Sequence, residues 1–137
     1  MDKKLVGLML IFMLSFGLFT TIIVFNKPLT RLTKAKEEFV PSSESSLLFA
    51  WPLTAKADGT TPVQVNVFVR NGTNIPLSNK KVRLTATLGT IRVNDLETDK
   101  AGKVTFFMTS DTPGLAELSA VVDSQIQLKQ KISVKFE

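Results

Sequence analysis

The chain has 137 residues, with 17 Lys or Arg against 12 Asp or Glu, and a net charge of +5. It contains no Cys and no His, which excludes disulfides, thiolate nucleophiles and cysteine metal sites and removes the commonest general base. Without its apolar N-terminal segment, about 90 to 110 residues remain, enough for one small domain.

The first predicted element is an uncharged apolar run from Leu5 to Phe25. As a helix, this run would span about 31 Å, the thickness of one hydrocarbon core. A helix also satisfies its own backbone hydrogen bonds inside lipid. The run therefore predicts a transmembrane helix within residues 1–28, which Pro28 ends or kinks because it lacks an amide hydrogen.

Two basic residues, Lys3 and Lys4, precede this run, as in the basic region of a signal sequence. The apolar run continues well beyond its small-x-small pair, Ser15 and Gly17. We therefore expect an uncleaved signal anchor and not a removed signal peptide.

A resemblance suggests a second possibility for the N-terminus, cleavage of a short leader. Met1 to Gly7 resembles the short basic leader of type IV prepilins, which is cut after a Gly and leads into a long apolar helix. The resemblance covers only the first part of the chain, and Phe12 stands where that family has a glutamate. It implies a pilin-like filament subunit, whose apolar helix packs in a fibre core after leader cleavage at Gly7.

Basic residues also follow the apolar run, among them Lys27 and Arg31. The rule that counts Lys and Arg beside a membrane helix would place the C-terminal side in the cytoplasm. Residues 29–46 are predicted to form an amphipathic stem and then a flexible, Ser-rich linker from Pro41 to Ser46. The stem either lies against lipid headgroups or carries solvated charge.

From Leu47 onward, the period of the apolar residues changes to two. Apolar and polar residues alternate in five stretches: 63–70, 81–88, 104–108, 116–122 and 125–136. This period places one set of side chains in a core and the other in water. Turn signals such as Asp58-Gly59 and Asn71-Gly72 separate the stretches. About seven short strands in about ninety residues predict an all-β fold, an antiparallel β-sandwich.

Five motifs follow one another in this domain: Ala57-Asp58-Gly59-Thr60-Thr61, Asn71 to Pro76-Leu77, Val82-x-Leu84 with Gly89-Thr90, Thr98-Asp99-x-x-Gly102-x-Val104, and Thr109-Ser110-x-x-Pro113-Gly114-x-Ala116. In this order they resemble the bacterial immunoglobulin-like domain of group 1, the module repeated in invasins and intimins. The resemblance implies an immunoglobulin-like β-sandwich, here residues 47–137, outside the cytoplasm. It also implies a spacer, stalk or adhesive module and not an enzyme. Asn71 and Asn74 stand where the family usually has Asp and Gly, and Asn tolerates a positive φ.

The acidic residues of the domain lie in or beside predicted turns: Asp58, Asp95, Glu97, Asp99 and Asp111. Asp at a turn usually accepts hydrogen bonds from nearby backbone amides. A calcium site would need several converging oxygens, and the EF-hand spacing is absent. The sequence therefore predicts no catalytic, cofactor-binding or metal-binding residues and no cofactor.

The candidate docking residues are three aromatic side chains. Trp51, the only tryptophan, either caps one end of the sandwich or lies at a membrane or partner surface. Phe68 and Phe107 occupy the outward phase of two strands, where they would form a docking patch if the strands are neighbours. The outward lysines of the last strand are interpreted as edge protection, and a nucleic-acid partner is not expected.

These observations predict a single-pass protein of the cytoplasmic membrane, with its C-terminal domain in the periplasm or at the cell surface. The expected partners are the lipid bilayer and other membrane or envelope proteins, copies of itself included, and not a small-molecule substrate. The predicted function is that of a non-enzymatic structural or interaction subunit of a cell-envelope or surface assembly, which docks through its helix and its domain.

Overall fold

A computed structural model describes residues 2–137, apart from the side chains of residues 26–37. The chain divides into two compact units, Met1–Glu37 and Glu38–Glu137.

Helix α1, Lys3–Glu38, accounts for nearly all of the first unit and continues past Pro28. The helix therefore does not end at Pro28, which was one of the two expectations for that residue. Of the described residues, Lys3–Phe25 form the stretch that is long and apolar enough to cross a membrane, with a mean hydropathy of 2.5. Within it, the Thr20 and Thr21 hydroxyls donate to carbonyls four residues earlier, at 2.8 and 2.7 Å. These bonds leave an apolar surface suited to lipid.

Ten strands follow in the second unit: β1 Leu47–Trp51, β2 Thr54–Ala55, β3 Val63–Phe68, β4 Lys81–Ala86, β5 Thr90–Ile91, β6 Asp95–Glu97, β7 Lys103–Thr109, β8 Gly114–Val122, β9 Ile126–Gln127 and β10 Ile132–Phe136. Seven of them are three residues or longer, which agrees with the predicted number.

The strands form two sheets, one in the order β1-β3-β7-β5 and one in the order β2-β10-β8-β4-β6, with β9 beside β8. The strand pairs are antiparallel except that of β2 with β10, which is parallel. The predicted antiparallel, immunoglobulin-like sandwich is confirmed.

The core lies between the two sheets and consists of the residues that the period of two selects. In β3, the side chains of Val63, Val65 and Val67 are fully buried, while Gln64 and Asn66 are only partly buried. Phe106 and Met108 of β7 and Leu118 and Ala120 of β8 continue the same core. Complete burial of a large apolar side chain stabilises a fold by about 1.5–3 kcal/mol, so this alternation accounts for the sandwich.

Two turn residues have the backbone conformation that their chemistry predicts. Asn74 has a φ of 64° and Gly102 a φ of 69°, the left-handed region that Asn and Gly tolerate best. The Asn71 side chain, which is buried, stabilises the first of these turns by accepting hydrogen bonds from the amides of Thr73 and Ile75 at 3.0 and 2.9 Å. The prediction that Asn preserves this turn is confirmed.

Residues 41–46 differ from the expectation of a flexible linker, because they are bonded to the sandwich. The Ser42 amide donates to the Arg70 carbonyl at 2.8 Å, and the Arg70 amide donates to Ser46 Oγ at 3.1 Å. The Lys129 amide donates to the Ser43 carbonyl at 3.1 Å. A serine hydroxyl and backbone groups of this segment thus supply hydrogen-bond partners for the backbone that continues from the strands. The division into residues 1–28, 29–46 and 47–137 remains a prediction.

Replacing Gly102 by Val should lower the free energy of unfolding by about 2–4 kcal/mol, since a left-handed φ and a steric overlap both oppose the new side chain. A Cβ on Gly102 would lie 2.6 Å from the carbonyl oxygen of Val69. The matched control is Gly72→Val, where no atom lies within 4 Å of the added Cβ. Urea unfolding of both variants measures the difference, and equal midpoints would contradict this account.

Candidate interaction surface

The outward side of the β1-β3-β7 sheet brings aromatic and amide side chains together in rows. Across the strands, Trp51 lies opposite Gln64, and Gln64 lies opposite Phe107. In the next row, Phe49 lies opposite Asn66, which in turn lies opposite Thr105. Neighbouring strands are about 4.8 Å apart, so each row is a compact strip across the sheet.

Trp51 is 76 % exposed, so it does not close one end of the core as the first interpretation expected. It belongs to β1, an edge strand of its sheet, and shares a row with Phe107, which is 40 % exposed. Both rings therefore present apolar surface to the outside of the sandwich.

Phe68 and Phe107 lie on neighbouring strands and on the same face, but not side by side. Phe107 lies opposite Gln64, whereas Phe68 lies opposite Lys103. Four residues along a strand separate these positions by about 13 Å. The strands are neighbours, as the expected docking patch requires, but the two rings do not lie side by side; the docking role of this pair remains a prediction.

Phe68 contacts a different ring, that of Phe49. The two ring centroids are 5.9 Å apart with an interplanar angle of 77°, an edge-to-face arrangement that aromatic pairs prefer. The Lys103 ammonium lies 6.0 Å from the centroid of Phe68, at the limit for a cation–π contact. Sequence reasoning missed Phe49, although the outward phase of β1 that contains Trp51 would have identified it.

Polar side chains fill the centre of this surface. Asn66 Oδ1 accepts a hydrogen bond from Gln64 Nε2 at 3.2 Å and another from Thr105 Oγ1 at 2.8 Å. These two bonds hold the Asn66 amide in one orientation. We call the surface the aromatic face; its members are Phe49, Trp51, Phe68, Phe107, Gln64, Asn66 and Thr105.

The predicted membrane-flanking residues belong to the first unit. Lys3 and Lys4 are exposed at the start of α1. Lys27 and Arg31 fall within residues 26–37, whose side chains lie outside the described part of the structure. Their predicted role beside a membrane remains a prediction.

The acidic residues serve turns and ion pairs. Asp58 Oδ1 accepts from the amides of Thr60 and Thr61 at 2.9 and 2.7 Å, and Oδ2 accepts from the Thr61 hydroxyl at 2.7 Å. These hydrogen bonds hold the pKa of the Asp58 carboxyl well below its usual range, and the bond from the Thr61 hydroxyl has the largest effect. In the same way, a bidentate pair with Arg83 lowers the pKa of Asp95. Among the described residues, no acidic group is arranged to hold a metal ion.

The outward lysines near the last strand are engaged with carboxylates. Lys129 pairs with Glu44, Lys131 with Glu117 at 3.0 Å, and Lys135 with Glu137 at 3.2 Å. Exposed pairs of this kind stabilise a fold by about 0–1 kcal/mol each. Each pair neutralises one of these lysines. They therefore do not form the continuous positive surface that binds nucleic acids.

The sequence model of the family described as bacterial Ig-like domain (group 1) matches residues 46–137. Comparison with curated proteins gives no significant match.

Several solved structures resemble the sandwich. The D0-D1 domain of intimin is 31 % identical, with a TM-score of 0.61, over 72 % of this chain and 49 % of that one. A 282-residue C-terminal fragment of intimin, in complex with the intimin-binding domain of the translocated intimin receptor, is 29 % identical, with a TM-score of 0.59, over 71 % of this chain and 33 % of that one. Invasin, a bacterial integrin-binding protein, is 24 % identical, with a TM-score of 0.64, over 71 % of this chain and 20 % of that one.

This chain thus spans half or less of each of these structures. The matches favour an adhesin-type domain and give no support to the pilin-like alternative.

Removing an aromatic ring from the aromatic face should leave the fold intact. Trp51→Ala should change the free energy of unfolding by less than about 1 kcal/mol, because this side chain is largely exposed. Phe107→Ala should cost more than Trp51→Ala, because Phe107 is only 40 % exposed. Phe106→Ala, the matched core control, should cost about 3–5 kcal/mol, since Phe106 is buried. Thermal unfolding followed by circular dichroism measures all three. A large loss for Trp51→Ala would show that the ring belongs to the core.

Proposed function

The chain belongs to the bacterial Ig-like domain (group 1) family, and on this basis we propose that it is a non-enzymatic, membrane-anchored interaction subunit of a cell-envelope or surface assembly. Helix α1 is the anchor, and the sandwich is the module that contacts other proteins. The domain lies on the outer side of the cytoplasmic membrane, in the periplasm or at the cell surface.

The aromatic face is the observation that carries this proposal. It places the exposed rings of Phe49 and Trp51, at 47 % and 76 %, on one side of an edge strand. Aromatic side chains dominate the energy of protein interfaces, and Trp is the most enriched of them at binding hot spots. The opposite sheet has a different outer surface, with the Arg83–Asp95 and Lys131–Glu117 ion pairs. One face of the sandwich is therefore suited to docking and the other to solvent.

The relatives support a protein as the partner. Intimin has been solved in complex with a domain of its receptor, and invasin is described as integrin-binding. These partners belong to those proteins. For this chain we propose only the partner class, a membrane or envelope protein, because the chain spans a minor part of either relative.

The orientation in the membrane rests on the family and opposes the charge rule. Lys27, Arg31, Lys34 and Lys36 follow the apolar run, against Lys3 and Lys4 before it, and basic residues favour the cytoplasmic side. The solved structures that resemble the sandwich include an adhesin, InvE, and an adhesin has to reach the cell surface. We give the fold more weight, since Lys3 and Lys4 ahead of an apolar run also form an export signal.

Labelling of single cysteines tests the orientation. The native chain has no Cys, so Lys100→Cys, in an exposed turn of the domain, introduces one thiol. A membrane-impermeant maleimide should label this variant in intact spheroplasts. The paired variant Asp2→Cys, ahead of α1, should react only after lysis. The reverse pattern, or protection of both thiols until lysis, would contradict the proposed topology.

Co-purification tests the interaction itself. Proteins cross-linked to the full chain in cells and purified in mild detergent should be lost when Trp51 and Phe107 are both replaced by Ala. The control is Leu115→Ala, an exposed apolar residue at 64 % on the opposite sheet, which should retain them. Retention by the double variant would show that the aromatic face is not the docking surface.

A further inference from the structure

The charged side chains at the outward positions of the β1-β3-β7-β5 sheet and its two arginine extensions have one sign. Lys103 lies opposite Phe68, and Arg70 follows Phe68 by two residues, on the same outward phase of the chain. At the other end, the Arg92 amide donates to the Phe107 carbonyl at 3.0 Å, which places exposed Arg92 beside Phe107. We call Arg70, Arg92 and Lys103 the basic rim.

The outward positions of this sheet contain no acidic residue. In the four described strands and the two arginines that continue them, these positions are Leu47, Phe49, Trp51, Gln64, Asn66, Phe68, Arg70, Thr90, Arg92, Lys103, Thr105, Phe107 and Thr109. In the turn before β7, Asp99 Oδ1 accepts from the amides of Ala101 and Lys103, both at 2.9 Å. That carboxylate is thus directed to its own turn. The basic rim is not neutralised within the face.

We propose that the aromatic face selects a partner protein surface with an apolar centre and acidic side chains around it. This inference rests on the proposed function and names the chemistry of the partner at the same surface. The rings supply the desolvated centre of the interface. The basic rim steers an acidic partner toward it and repels a basic one, because rim charges act mainly on association and on discrimination between partners.

A second copy of this chain does not have that chemistry. Two identical faces meeting about a two-fold axis would place one basic rim against another, and like charges across an interface cost free energy. A partner with acidic side chains around an apolar centre is instead attracted by the same basic rim.

Binding of two designed peptides to the full chain in uncharged detergent micelles tests the proposal. Both peptides have Leu or Phe at every second position. The positions between them are Glu in one peptide and Lys in the other. Trp51 is the only tryptophan, so its fluorescence reports binding at the aromatic face. The Glu peptide should change Trp51 emission in a saturable manner and bind more weakly as the salt concentration rises. The Lys peptide should bind at least about tenfold more weakly.

Charge reversal identifies the basic rim as the cause. Arg92→Glu should weaken binding of the Glu peptide by about five- to tenfold, with its circular dichroism unchanged. The matched control is Lys56→Glu, an exposed residue outside the aromatic face, which changes the net charge equally and should bind as the native chain does.

Three results would overturn the inference: equal affinity for the two peptides, equal losses in Arg92→Glu and Lys56→Glu, or self-association in sedimentation that Trp51→Ala abolishes. None of these would remove the proposed function, which is tested separately by the cysteine labelling and by the loss of cross-linked partners when Trp51 and Phe107 are replaced.

Discussion

The antiparallel pairing of β3 with β7 determines both the core and the outer surface of the sandwich. Its register sets Val65 opposite Phe106 and Val67 opposite Val104 on the inside. The same register sets Gln64 opposite Phe107 on the outside. A slip of one residue would turn every side chain of a strand to the other face. Burial of the valines therefore fixes where the aromatic residues are exposed.

The turn before β7 protects this register. Gly102 lies close to Val69, the residue that follows β3, and its carbonyl accepts a hydrogen bond from the Val69 amide at 2.8 Å. A left-handed φ and the absence of a side chain are both needed there. Asp99 closes the same turn by accepting backbone hydrogen bonds, so that β7 begins at a defined residue. The proposed docking surface thus depends on residues that lie outside it.

The two units differ in where their apolar side chains lie: buried in the sandwich and exposed on the helix. In the second unit, apolar residues at alternate positions are buried between sheets, and water contacts the remainder. In α1, large apolar side chains from Leu5 to Phe25 are exposed along the helix, and a helix of this length and composition is suited to lipid. The aromatic face is an intermediate case, since its rings are exposed on a folded domain beside fixed amide and hydroxyl groups. Such surfaces on soluble domains mark interaction sites.

The sequence by itself determined the apolar helix, the five alternating stretches with their inward residues, and the turns between them. Each of these is a local property, since a period of two or a Gly at a turn needs only nearby residues. It also identified Trp51, Phe68 and Phe107 as candidate docking residues, because alternation assigns each strand residue to a face. Alternation does not, however, predict which residues of other strands lie beside it.

Only the tertiary structure decided which strands pair and in what register. β3 and β7 are separated by more than thirty residues of chain, and their pairing places Phe107 far from Phe68 and on the row of Trp51. The contact between Phe49 and Phe68 and the basic rim arise in the same way, from residues distant in sequence. The serines of residues 41–46 looked like a flexible linker because their composition is polar. They are ordered because backbone groups of Arg70 and Lys129, which only the folded sandwich brings close, form hydrogen bonds with them.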